Sequence, residues 1–91
     1  MTVLFTMTNQ LQGRKIAILA TDGFEEVELT EPREALEEAA AETHLISPKS
    51  GTIKAWNHTK WGDDYEVDVT LEEADHTDYH GLMLPGGVMN P

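Results

Sequence analysis

The chain has 91 residues, enough for one domain at most and for a core that buries roughly 60–65% of the surface exposed by the unfolded chain. It contains no cysteine, which excludes disulfides, thiolate zinc sites, iron–sulfur clusters and a cysteine nucleophile within these residues. Six Lys and Arg against 17 Asp and Glu leave a net charge of −11, a field that repels nucleic acid and anionic membrane surfaces. DNA binding is thereby excluded.

The first 13 residues, MTVLFTMTNQLQG, lack both a basic stretch and an apolar core of secretory length, so they read as a loose N-terminal extension (1–13) of a cytoplasmic protein. No apolar run approaches the ~20 residues of a membrane-spanning helix. Lys15 to Ala20 (KIAILA) is a continuous apolar run closed by Thr21-Asp22-Gly23, the pattern of a strand buried on both faces. In FEEVELTEPREALEEAAA, Leu29, Pro32, Leu36 and Ala39/Ala40 recur at helical spacing. Pro32 is tolerated best in a first turn, so the regular helix is expected to begin near Thr30 or Glu31.

Thr43 to Ser47 (THLIS) completes a strand–helix–strand unit and a parallel pairing. Ser50 to Trp56 and Tyr65 to Thr70 alternate apolar and polar residues around a turn-rich 57–64 link, as in a small antiparallel excursion at a sheet edge. LEEAD supplies about one helical turn, and Gly81 to Leu84 (GLML) is a second fully apolar strand ending in Pro85-Gly86-Gly87. The fold class is α/β: a parallel sheet with a small antiparallel excursion. A single long helix can cover only one face of two strands that each expect cover on both, so the unit reads as incomplete.

Two loops lie beyond the carboxyl ends of the strands, TDGFEEVE and PGGVMNP, and if the strands are neighbours the loops face each other across a crevice. Gly86 and Gly87 allow close backbone approach and can present N–H groups to an oxyanion, although Pro-Gly-Gly also serves as a plain turn. Glu25, Glu26 and Glu28 suit the positive end of a helix. Glu28, between Val27 and Leu29, is either a solvated helix-start glutamate or turned toward the crevice, where desolvation would favour its protonated form and let it act as a general acid. His76 and His80 bracket Asp78, which leaves open a weak metal site or a solvated loop. Trp56 and Trp61 are read as a small satellite core or a subunit contact.

The segments KIAILATDGFEEVELTEPREALEEAAAETHLISPKSGTIKAW, DVTLEEAD and YHGLMLPGG together resemble, over Arg14 to Pro91, the N-terminal half of the ThiJ/PfpI family, the intracellular-protease-like branch of the class I glutamine amidotransferase-like superfamily. The resemblance implies a flavodoxin-like fold of which residues 14–91 are the first half. It implies intact relatives that are cysteine-dependent hydrolases of protease, deglycase or stress-response type, acting on a peptide or small molecule. It places the glutamate that hydrogen-bonds the nucleophile at Glu28, a second acid at Glu25, and oxyanion-pocket backbone at Gly86 and Gly87. Neither metal nor cofactor is implied.

The nucleophile would lie beyond the PGG turn, so the chain alone is expected to be inactive, with a second copy of itself or a complementary C-terminal half as partner. Two departures stand out. The family's glycine at the helix C-cap is missing, so either Ala40 or Ala41 adopts a left-handed conformation or the cap is of a different kind. Gly81 replaces a residue with a side chain at the start of the last strand and weakens it.

Overall fold

The computed structural model describes residues 10–86. Six strands and one helix follow in the order β1 (Lys15–Leu19), α1 (Glu26–Glu38), β2 (Glu42–Ser47), β3 (Thr52–Asn57), β4 (Lys60–Glu66), β5 (Val69–Thr70) and β6 (Gly81–Met83), with a 3-10 turn at His76–Asp78. Four strands form a sheet in the order β5-β2-β1-β6, and every pairing in it is parallel. The two apolar runs, β1 and β6, are direct neighbours in register Ile16↔Gly81 to Ile18↔Met83.

Side chains alternate across a strand, so the two faces of this sheet have different fates. Ile18 and Leu45 point to the α1 side, where they form a buried core with Phe24, Leu29, Ile53 and Ala55. On the same side Thr43 donates to Glu37 Oε2 at 2.7 Å and accepts from Arg33 Nε at 3.3 Å, tying β2 to the helix by polar contacts where the apolar pattern is broken. Ala17, Leu19 and Ile46 point to the opposite side. Among the described residues that face carries no α-helix; the segment from Leu71 to Tyr79, with its 3-10 turn, lies over it instead.

The antiparallel excursion differs from expectation. The 57–64 stretch read as a link contributes most of β4, and β3 and β4 form a separate two-stranded sheet paired from Thr52↔Glu66 to Asn57↔Lys60. It packs against the helix side of the core through Ile53 and Ala55, with Tyr65 edge-on to Phe24 at 5.6 Å, rather than extending the main sheet. Val69–Thr70, read as the end of the same strand, instead joins β2 in parallel. Asp68 decides this separation: its Oδ2 accepts the Leu45 N–H at 2.7 Å, turning the chain out of the hairpin and onto the edge of β2.

The helix also starts earlier than expected. It begins at Glu26, so Pro32 sits in its interior rather than its first turn. Pro32 removes one i→i−4 hydrogen bond. Leu29, fully buried, pins the preceding turn to the core, and Glu26 and Glu28 complement the positive end of the helix. These gains hold the early start against the proline's cost. At the other end Ala40 has φ 71°, with Ala40 N–H donating to the Glu37 carbonyl and Ala41 N–H to the Leu36 carbonyl, both at 3.0 Å. This is a Schellman closure with alanine in the left-handed position that glycine normally fills, the first of the two expected caps.

Candidate active site

The loop that leaves β1 is held from two sides. Asp22 Oδ1 accepts the Lys54 N–H at 2.8 Å, Gly23 N–H donates to the Lys54 carbonyl at 2.9 Å, and Trp56 N–H donates to the Phe24 carbonyl at 2.7 Å. Gly23 has φ 90°, a conformation open to glycine and strained for other residues. Asp22 also pairs with Lys49 Nζ at 3.1 Å. Its carboxyl is held below the ordinary aspartate value, first by the Lys54 backbone N–H and then by Lys49. On the other side Glu25 N–H donates to the Gly86 carbonyl at 2.7 Å. The expected meeting of the two loops across the strand ends is therefore present in the described residues.

The meeting is reciprocal. Gly86 N–H donates to Glu28 Oε1 at 2.7 Å. A Cβ placed on Gly86 would lie 2.6 Å from that oxygen, so only glycine allows this approach. A crevice of about 250 Å³ opens at the carboxyl ends of the strands, lined by Leu19, Thr21, Phe24, Leu84 and Pro85 among others, with neither Glu28 nor Gly86 in its wall. It lies where open parallel sheets place their ligands.

Of the two readings of Glu28 the structure shows the solvated one, and it is Glu25 that departs from the solvated helix start expected of it. Glu28 is exposed, and the desolvated carboxylate is Glu25, only 5% exposed. The reason is positional. Glu25 is the residue before the first helical turn, in extended conformation and bridged to Trp56, so its side chain is tucked beneath the β3–β4 hairpin, whereas Glu28 lies one turn on and faces outward. Glu25 Oε1 is buried without a hydrogen-bond partner, and Oε2 lies 4.0 Å from His58 Nδ1 at the hairpin tip. The Gly86 N–H read as an oxyanion donor is occupied by Glu28, and Gly87 lies outside the described residues.

Glu26, read only as a helix-start acid, ties the hairpin to the helix. Its Oε2 accepts from Tyr65 OH at 2.7 Å and from Asp63 N–H at 3.2 Å, and a Cβ on Gly62 would collide with its carboxylate at 2.5 Å. The Tyr65 hydroxyl is pushed up to about 12, chiefly by burial and then by the Glu26 carboxylate. Nothing in the local sequence marks Glu26 for this role, because its partners lie 37 and 39 residues away.

Among the described residues no group of three or more His, Cys, Asp or Glu could hold a metal ion. Around the metal reading left open at His76, Asp78 and His80, His80 Nδ1 accepts the Lys15 N–H at 3.0 Å, and the His76 side chain is 96% exposed. Trp56 and Trp61 pack edge to face at 5.3 Å, with Trp61 half exposed. No helix among the described residues is long and apolar enough to cross a membrane.

Comparison with known proteins bears on the family and the fold. The chain is 40% identical over 74 residues to an uncharacterized protein of Staphylococcus haemolyticus, covering 81% of this chain and 41% of that protein. It is 35% identical over 75 residues to a putative cysteine protease of Bacillus subtilis, covering 82% of this chain and 43% of that one. Among solved structures, a DJ-1 superfamily protein of Agrobacterium tumefaciens superimposes with a TM-score of 0.72 at 21% identity, covering 82% of this chain and 38% of that chain. A ThiJ/PfpI domain protein of Brachyspira murdochii does so with a TM-score of 0.69 at 19% identity, covering 85% and 42%. The chain thus spans about two fifths of the length of the curated relatives it matches. With the family profile matched across residues 14–91, the chain belongs to the DJ-1/PfpI family.

Proposed function

We propose that this chain carries the acid and backbone portion of a cysteine-dependent hydrolase site of the DJ-1/PfpI type, and that it is inactive by itself. The observation that carries the reading is the Gly86 N–H to Glu28 Oε1 hydrogen bond, which fixes an exposed carboxylate against the turn that follows the last strand. A glutamate so held, in the position where the family resemblance places the residue that hydrogen-bonds the nucleophile, orients a thiol and exchanges a proton with it. Glu25 is the second acid of the loop, and its backbone N–H anchors the Gly86 carbonyl. The sequence contains no cysteine, so the thiol has to come from outside these 91 residues.

The Bacillus subtilis relative, a putative cysteine protease, is consistent with a hydrolytic reaction class. The test is an assay of the purified chain against peptide, glycated peptide and small dicarbonyl substrates. Turnover at the buffer rate is expected. Turnover above it that is lost in Glu28→Gln would overturn the claim of inactivity.

A further inference from the structure

The strand that delivers Gly86 to Glu28 is lightly built. β6 has three residues, begins with a glycine that offers no side chain to pack, and pairs among the described residues with β1 alone. Its start is fixed by His80. The His80 N–H donates to the Lys15 carbonyl at 2.8 Å, and the Lys15 N–H donates back to His80 Nδ1 at 3.0 Å, so both backbone groups of Lys15 close on one residue. Beyond β6, Gly86 is fixed by the Glu25 N–H and by Glu28 Oε1. Between these two anchors runs the ladder with β1, from Ile16↔Gly81 to Ile18↔Met83.

A backbone N–H can only donate. Its bond to His80 Nδ1 therefore needs a lone pair on that nitrogen, which places the proton of the neutral ring on Nε2. An imidazolium carries N–H on both nitrogens and has no acceptor, so protonation sets N–H against N–H and opens the return bond. His80 is exposed, and no ion pair among the described residues involves it. The titratable and charged groups around the clamp are Arg14 and Lys15 at the start of β1, Glu42 and His44 on β2, and Asp78 and Tyr79 just before it. Glu42 is taken up by His44, whose Nδ1 meets the Tyr79 hydroxyl at 2.9 Å. A hydroxyl accepts as well as donates, so a charged His44 keeps both contacts. The response to acid falls on His80.

We infer that His80 is a positioning residue for the Glu28–Gly86 contact: its neutral imidazole fixes the start of β6, and protonation frees that start and slackens the turn at Gly86. The inference rests on reading Glu28 and Gly86 as part of a site, and it gives that site an acid limb set by a residue at the opposite end of the strand.

The test compares amide protection factors of the chain at about pH 5 and about pH 8, the span over which histidine side chains change charge. In wild type, protection of the Lys15 and Gly86 N–H groups is expected to be about 3- to 10-fold lower at the acid value, the worth of one exposed hydrogen bond. The Ala41 N–H, held in the helix closure, serves as the reference and stays unchanged. His80→Asn is the rescue, because its side-chain oxygen accepts from Lys15 at either pH and both protections should hold. His80→Ala should show the low values at both; if it does not fold, wild type against His80→Asn decides. Lys15 protection that ignores pH in wild type, or that follows pH equally in His80→Asn, overturns the inference. So does a fall at Lys15 that leaves Gly86 unchanged, or one that Ala41 shares in full. Turnover by the chain would count against the proposed inactivity and leave the clamp standing, whereas a failed protection test leaves the proposed site standing.

Discussion

Glu28 and Gly86, 58 positions apart in the sequence, are joined by a 2.7 Å hydrogen bond from the Gly86 N–H to Glu28 Oε1 that closes the two strand-end loops on each other. Because a methyl group at position 86 would lie 2.6 Å from that oxygen, Gly86→Ala forces the exposed end of the Glu28 side chain to shift and weakens the contact. The expected cost is about 0.5–1 kcal/mol, that of one exposed hydrogen bond. Urea denaturation measures it. A variant as stable as wild type, with unshifted Glu28 side-chain resonances, would show that the contact does not order the site.

Ala40 occupies the left-handed position of the helix closure at φ 71°. Ala40→Gly relieves strain in the folded state and loosens the unfolded chain, and the first effect is the larger. Stabilisation by about 0.5–1 kcal/mol is expected from the thermal midpoint. A lowered midpoint would contradict the assigned closure.

The Tyr65 hydroxyl is raised from 10.0 to about 12, first by burial and then by its bond to Glu26. A phenol whose folded value exceeds its unfolded one contributes stability that is complete below pH 10 and is lost as the pH rises through about 12. Tyr65→Phe should therefore flatten the loss of stability above pH 10. Tyr79, also raised by burial and by Asp78, keeps a smaller alkaline transition in that variant. Absorbance titration of the phenolates together with urea melts at several pH values checks both.

Asp22 works in the opposite direction. Its carboxyl is lowered by the Lys54 N–H, then by Lys49, so its stabilising effect is present above the ordinary value of 3.8 and disappears as the pH falls through the lowered one. Asp22→Ala should remove this acid-limb loss and speed amide exchange at Lys54, whose N–H it releases. Unchanged exchange at Lys54 would mean that the β1 loop is held to the hairpin by other groups.

Much of this arrangement is local and therefore legible along the chain. KIAIL and GLM read as strands because continuous apolar runs demand burial on both faces, and they are adjacent in the sheet. The absence of glycine after the helix leaves a left-handed alanine or a different cap, and Ala40 shows the first. The crevice at the strand ends follows from the topology of a parallel sheet, and the two strand-end loops meet through Glu28 and Gly86.

What could not be read depends on partners far apart in sequence. The helix starts at Glu26 despite Pro32 because Leu29 is buried against strands that the local pattern does not know about. The hairpin forms a sheet of its own because the Glu26 carboxylate holds Tyr65 and Asp63 while Asp68 turns the chain onto β2. Apolar periodicity and glycine placement determined the elements and the position of the crevice, since these depend on the residue's own conformational and burial preferences. Only the tertiary structure decided that Glu25 is buried beneath the hairpin and Glu28 exposed beside Gly86, because burial of a carboxylate is set by what packs over it.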